Sequence, residues 1–459
     1  MAVLLLVPGV AAAQYPVGPQ YPLNPLVQTP TAVSTDLILH TPPPPTIPTA
    51  PELVLPVRPS PTSRPVAPFN FRPTLGISEE YSDNFNRTSQ NPVSNFRSAI
   101  FPGFEARLDT GFLTGQAVYM LSAFHDSSVG EVGVHHWFAG QLDWQVTSRF
   151  KLSISDTFTQ SDNPYLADRI DLRLNRQKYT SNLLGVGAEY SFNTVDLKGY
   201  YRMSIFDSDP TDTTTNTIGT SAAIQLGRIH TLTLGYEYLN SQTDAPGANT
   251  TTTGHQLTGS FSRDLNKNLT AGVTATLAFR EQSQSTGTTD FTRWSLAAFG
   301  NYVLSNKIIL RGSVGLAQLD SDDTKPRLLF TTDTDLSYYL GPAVLGLRLE
   351  RGFSESFAQG QNLGVIETFG VAGSVLYRFT PLLTSSGIIS YRDNKFTGLG
   401  GGQAGQEDKV LTVSANVSYQ ILRWLTATLD YTYTHATSNA PQGGFSENRV
   451  RAALNAVMY

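Results

Sequence analysis

The chain contains no cysteine in 459 residues, carries charge on only 15% of them, and has no basic excess, its formal net charge being -5. The missing cysteines exclude a disulfide scaffold and any thiolate site, and they suit export through an oxidising compartment. A net negative charge argues against nucleic acid as a partner, because phosphate binding needs a basic surface. The charged fraction lies well under the roughly 25% of a soluble protein. After the N-terminus no apolar run reaches the roughly 20 residues that a membrane-spanning helix needs. Metal-ligand spacing is also missing: the seven histidines are scattered, and the adjacent His135 and His136 point to opposite faces of a strand. The acidic groups at Asp207, Asp209 and Asp212 and at Asp320, Asp322 and Asp323 lack the glycine-bearing spacing of a calcium loop. No Gly-rich phosphate loop leads from a strand into a helix, and no Ser, His and Asp stand out as a hydrolytic set. The expectation is a protein with no metal, no cofactor and no catalytic residue.

What the chain does have is alternation. Leu411, Val413, Ala415, Val417, Tyr419 and Ile421 fall on one face, with Thr412, Ser414, Asn416, Ser418 and Gln420 on the other. After a very short turn Leu425, Ala427, Leu429, Tyr431 and Tyr433 repeat the pattern. A period of two marks a strand with one apolar face. Such strands follow one another from about residue 72 to Tyr459, which predicts an all-β fold: a transmembrane, antiparallel, up-and-down outer-membrane β-barrel. A soluble β-sandwich or β-helix would have shorter strands and no systematic rhythm of turns.

Residues 1–13 read as a signal peptide, with an apolar run from Ala2 to Val10 and a cleavage site after Ala13, though its basic start is missing. Residues 14–70 are crowded with proline, including Pro42-Pro43-Pro44-Pro45. Such a segment builds no core and prefers extended conformations, so it reads as a disordered periplasmic linker and not as a folded plug. The barrel is expected over residues 71–459.

Short turns are expected near Thr110-Gly111, Thr147-Ser148, Phe192-Asn193, Gly227-Arg228, Gly341-Pro342, Thr380-Pro381 and Leu422-Arg423, among others. They alternate with connections expected to be long, such as Ser161 to Gln177, Asp207 to Thr215, Thr243 to Thr253, Asp320 to Arg327, Lys395 to Asp408 and Thr437 to Ser446. Short periplasmic turns and longer external loops give about twenty strands, or about eighteen if the first hairpin, which contains Pro102, does not pair. Aromatics gather near strand ends, with Trp144, Phe192, Tyr302, Tyr338 and Phe379 close to short turns and Tyr238, Phe279 and Tyr391 close to loops, as interfacial girdles require. The terminal Tyr459 resembles the signal read by the barrel assembly machinery.

With the apolar face to lipid, the other face would line the lumen. It carries Glu189, Asp196, Lys198, Arg202, Glu237, Arg280, Arg293, Arg311, Asp333, Asp335, Arg348, Glu350, Arg378, Arg392 and Asp430. Both signs mix there with hydroxyls and amides, which suits neutral hydrophilic solutes. A wall of eighteen to twenty strands is wide enough for an aqueous channel unless something blocks it. The charged loop from Ser161 to Gln177 is expected either to fold inward as a constriction or to stand outside in solvent.

The opening Pro73-Thr74-Leu75 through Tyr81-Ser82-Asp83-Asn84, and the run Asp156-Thr157-Phe158-Thr159-Gln160-Ser161-Asp162-Asn163-Pro164, resemble the putative beta-barrel porin 2 family. The resemblance implies an outer-membrane barrel of a Gram-negative bacterium without catalytic residues, often placed with polysaccharide secretion. The expected partners are outer-membrane lipid and lipopolysaccharide, the assembly machinery and periplasmic polysaccharide-export components. The expected function is a channel for hydrophilic material, linked to export of a surface polysaccharide. The alternatives are a general diffusion porin and a non-transport anchor or surface adhesin.

Overall fold

The computed structural model describes residues 68–163, 176–209, 211–245, 249–284, 287–305, 307–321, 324–355, 364–398, 405–440 and 443–458. Twenty strands run in chain order: β1 Phe69–Ser82, β2 Asn95–Asp109, β3 Leu113–Asp126, β4 Glu131–Gln145, β5 Phe150–Ser161, β6 Tyr179–Ser191, β7 Val195–Ser208, β8 Thr211–Gln225, β9 His230–Asp244 and β10 Thr250–Asn266. They continue with β11 Leu269–Gln284, β12 Gly287–Ser305, β13 Ile308–Ser321, β14 Thr324–Leu340, β15 Ala343–Glu355, β16 Val365–Arg378, β17 Leu383–Phe396, β18 Glu407–Leu422, β19 Leu425–Ser438 and β20 Phe445–Val457. Each strand pairs antiparallel with the next, and β1 closes on β20 from Thr74↔Val457 to Ser82↔Arg449. A closed sheet leaves no unpaired edge, which is what lipid demands of a backbone. The first hairpin pairs throughout, Phe69↔Leu108 to Ser82↔Asn95, so twenty strands stand and eighteen do not. The signal-peptide segment, nearly all of the proline-rich segment and Tyr459 lie outside the described residues. Strand β1 opens at Phe69, two residues before the expected start of the barrel.

Burial follows the alternation. In β1 Leu75 and Ile77 are exposed on the outer surface, while Ser78, Glu80 and Ser82 between and beyond them are buried inside. At the expected short turns Gly111 and Gly341 take φ of 84° and 58°, a conformation that L side chains rarely adopt. One expectation needs correction. The opposite connections are not uniformly long: β7 ends at Ser208 and β8 begins at Thr211, β9 and β10 are separated only by residues 245–249, and β13 and β14 by residues 322–323. Threonine is β-branched and suits a pleated surface. The Thr-rich stretches therefore extend the strands instead of forming loops, held by Thr213–Thr243 and Thr215–Ser241 hydroxyl pairs at 3.1 and 2.8 Å.

Candidate functional site

The candidate site is the barrel interior, and it differs from end to end. Toward the short turns the inward residues are partly open: Arg72 and Thr74 on β1, Thr114 and Gln116 on β3, Lys151 on β5, Asn301 on β12 and Arg311 on β13. Toward the other end the inward residues are buried, and two side-chain clusters fill the space.

The first cluster lies where the end of β5 and the start of β6 turn inward. Arg97 on β2 donates from Nε and Nη2 to both carboxylate oxygens of Asp126, at 2.7 and 2.6 Å, and from Nη1 and Nη2 to both oxygens of Asp162, at 3.0 and 2.8 Å. Arg176, just before β6, reaches Asp162 at 3.5 Å and donates to the Phe85 carbonyl at 3.1 Å. Both guanidinium groups lie over the Phe85 ring, at 5.1 and 4.2 Å from its centroid. Arg87 donates to Glu447 on β20 at 3.0 Å, and Ser82 donates to the same carboxylate at 2.8 Å. Burial alone would raise the Asp162 carboxyl, but Arg176 and the hydrogen-bonding Arg97 overcome it and hold the group well below the usual carboxylate range. Burial lowers the Arg176 guanidinium, against the pull of Asp162. Asp162 and Arg176, from either described end of the Ser161–Gln177 segment, thus face inward, while Asp168, Arg169, Asp171 and Arg173 lie outside the described residues.

The second cluster forms where β15 and β16 meet. Alternation stops at the end of β15: Gly352, Phe353, Ser354 and Glu355 are all buried, as are Val365 and Ile366 opening β16. The described ends of β15 and β16 lean into the lumen. Phe353 and Val365 join a buried apolar cluster with Leu239, Phe291, Ala317, Leu319 and Leu329. Glu355 accepts from Arg280 Nε at 3.1 Å and from Arg293 Nε at 3.0 Å, although Arg280 is on β11, four strands away. Five residues earlier on β15, Glu350 accepts from Arg392 at 3.0 Å, and Arg348 donates to Asp333 at 3.2 Å, with Asp335 at 3.8 Å from Arg348.

The expected lumen residues therefore fall into groups. Arg280 and Arg293 meet on Glu355, and Arg348, Glu350, Asp333, Asp335 and Arg392 form a separate linked set on β14, β15 and β17. Glu237 accepts from the Tyr200 hydroxyl at 2.5 Å, with Arg202 over the Tyr200 ring. Glu189 pairs with Lys198 at 3.4 Å, and Asp430 accepts from Asn416 at 2.6 Å. Asp196, Arg311 and Arg378 stand nearer the short-turn end. The aromatics Trp144, Tyr238, Phe279, Tyr302, Tyr338 and Tyr391 sit on the outward face, and Phe192 and Phe379 are exposed in turns, packed on Tyr190 and Tyr377 at 4.7 and 4.6 Å. His135 and His136 do point to opposite faces, the first toward Asp162 at 3.4 Å inside, the second sharing a 2.9 Å hydrogen bond with Tyr119 outside. Sequence reasoning missed Arg87, Arg97, Asp126, Glu355 and Glu447. The alternation that gave Arg280 gives Arg97 and Glu447 too, but Glu355 sits where alternation fails.

Residues 343–457, from β15 to β20, match the family model described as Putative beta-barrel porin 2. That match takes in the last six of the described strands, and the chain has the fold of a closed β-barrel. The match covers neither of the two short stretches that carried the resemblance. Among solved structures, the FrpB iron transporter from Neisseria meningitidis is similar in its F5-1 apoprotein form, with a TM-score of 0.54 and 10% identity over 85% of this chain and 81% of the other. Its F3-3 variant gives 0.52, with the same identity and coverage. A mutant of the ferric enterobactin receptor PfeA from Pseudomonas aeruginosa reaches 0.48 at 10% identity, over 85% of this chain and 80% of that one. At such identity the likeness is one of fold. Among curated proteins none matches the chain.

Proposed function

We propose that this barrel is a channel of the Gram-negative outer membrane for hydrophilic solutes, open toward the short-turn end and held shut at the other by charged clusters. The observation that carries the reading is the interior itself. Mixed charges, hydroxyls and amides line a partly open chamber on the short-turn side, and the porin-like fold supplies the wall. The closure joins ion pairs to the apolar cluster around Phe353 and Val365, and the reading takes it as one that rearranges. The reading is non-enzymatic, with lipid, lipopolysaccharide and the assembly machinery as partners. Export of a surface polysaccharide, with periplasmic export components, is the cargo that the sequence resemblance implies; the mixed, uncharged-on-balance lining is compatible with sugars.

Single-channel recording of the full chain in a planar bilayer tests this. The expected result is infrequent openings of large amplitude, with partial block by a neutral oligosaccharide. A folded barrel that never conducts, even after the closure is weakened by substitution, would instead be an anchor or adhesin.

A further inference from the structure

The outward face of the barrel carries a regular polar feature that the channel reading does not use. The seventh residue of β3, β5, β7 and β9 is Tyr119, Asp156, Tyr201 and Tyr236. Each faces outward and hydrogen bonds diagonally, two positions toward the outer end of the next strand. The pairs are Tyr119–His136 at 2.9 Å, Asp156–Asn182 at 2.8 Å, Tyr201–Asn216 at 2.6 Å and Tyr236–His255 at 2.7 Å. On the opposite arc the same positions of β11, β13, β15 and β17 are Ala275, Val314, Leu349 and Ile389, with Trp294, Phe330, Phe369 and Leu411 as their diagonal neighbours. The same diagonal recurs on β19, from Tyr431 to Asn448 at 2.9 Å, while the arc from β11 to β18 is apolar at these positions; Asp156 is the one carboxylate among them.

A tyrosine ring suits an apolar surround when its hydroxyl finds a partner. A carboxylate does not tolerate hydrocarbon. Asp156 is outward because its row partners are Gly140 and Leu184, its neighbour Ile154 is exposed, and Thr157 and Thr159 on either side of the alternation are buried inside. Seven residues of tilted strand rise about 15 Å, well inside an apolar band about 25 Å tall. The outward carboxylates Glu281, Glu367 and Asp393 sit instead near the outer ends of their strands. One amide N–H from Asn182 leaves most of the acceptor capacity of the carboxylate unused.

We propose that the outward face of β4–β7 is a contact surface for a second copy of this chain within the membrane, with Asp156 near its centre. The surface is self-complementary, which a symmetric contact requires. An acceptor shares the face with donors, the amide of Asn182 next to it and, four residues along β4 from its row partner Gly140, the imidazole of His136, whose Nδ1 is engaged by Tyr119 and whose Nε2 is left for a neighbour. In the pair, the Asp156 carboxylate of one copy takes hydrogen bonds from these groups of the other, so that neither carboxylate meets lipid.

The lack of native cysteine makes the test direct. In the full chain, Leu184→Cys places a single thiol beside Asp156, and Ile389→Cys places one on the apolar arc. Oxidation in the native membrane should give a dimer-mass band from the first and none from the second. Adding Asp156→Leu to Leu184→Cys should abolish most of that band, while Asp156→Asn, which still hydrogen bonds, should keep it. Retained heat-modifiable migration shows that the leucine variant is folded, as expected for an apolar residue in an apolar band. No band from Leu184→Cys, equal bands from both positions, a product of another mass, or a dimer indifferent to Asp156→Leu would each overturn the proposal.

Discussion

The two ends of the lumen are built by the same strands under the same alternation, yet one is open and the other is filled. On β1 the inward Arg72 and Thr74 are partly open, and two turns of the pleat further the inward Ser78, Glu80 and Ser82 are buried. Polarity therefore does not decide wetness. What decides it is which segments lean inward: the ends flanking residues 164–175 on one side and the facing ends of β15 and β16 on the other. Once water is displaced, a lone charge becomes costly and must find partners. The outer clusters obey that rule, with two carboxylates around Arg97 and two guanidinium groups around Glu355. In the open half, Lys198 and Glu189 sit 3.4 Å apart with water still reaching both.

The sharpest way to break this contrast is at Glu355. Glu355→Ala removes the acceptor shared by Arg280 and Arg293 and leaves the buried Arg280 and the part-buried Arg293 without their carboxylate. Breaking a buried pair costs about 3–5 kcal/mol, here charged against the closed arrangement. Single-channel recordings should show a large rise in open probability, with the barrel still heat-modifiable. If the open probability does not change, the facing ends of β15 and β16 are not part of the closure.

The fold was legible because lipid enforces it. Every strand must show an apolar face outward, so Leu411 to Ile421 and Leu425 to Tyr433 betray their strands without any partner in view. The lumen face followed from the same rule. The closure was not legible, for two reasons. Contacts such as Arg280 with Glu355 join strands four apart, and period-two alternation carries no information about depth or curvature. At Gly352–Glu355 the alternation itself lapses, because a segment leaning into the lumen has protein on both sides. The Thr-rich connections misled for a related reason: threonine serves a turn and a strand extension alike, and cross-strand pairing decides between them.

Acid sharpens the comparison with a smaller effect. Asp162 titrates well below an ordinary carboxyl in the closed arrangement. A depressed value contributes stability that is complete above the unperturbed pKa of about 3.9 and is lost as pH falls from there through the depressed value. Conductance should therefore stay flat from neutral pH down to about 5 and rise only below about 4. Asp162→Asn should raise the neutral baseline and flatten the acid rise. An opening that begins near pH 6 would point to another group as the switch.

The smallest effect belongs to the open half. Lys198→Ala removes one member of a partly hydrated pair, worth under about 1 kcal/mol and screened by salt. Thermal stability and open probability should not move. The loss of one lumen cation beside Glu189 and Asp196 should tilt ion selectivity slightly toward cations, seen as a small shift in reversal potential that fades as salt is raised. That outcome would fit a chamber where water does the solvating and side-chain charges only bias the traffic. A change in gating as large as that from Glu355→Ala would mean that the inner half is as tightly coupled as the outer, and the contrast between the two ends would fall.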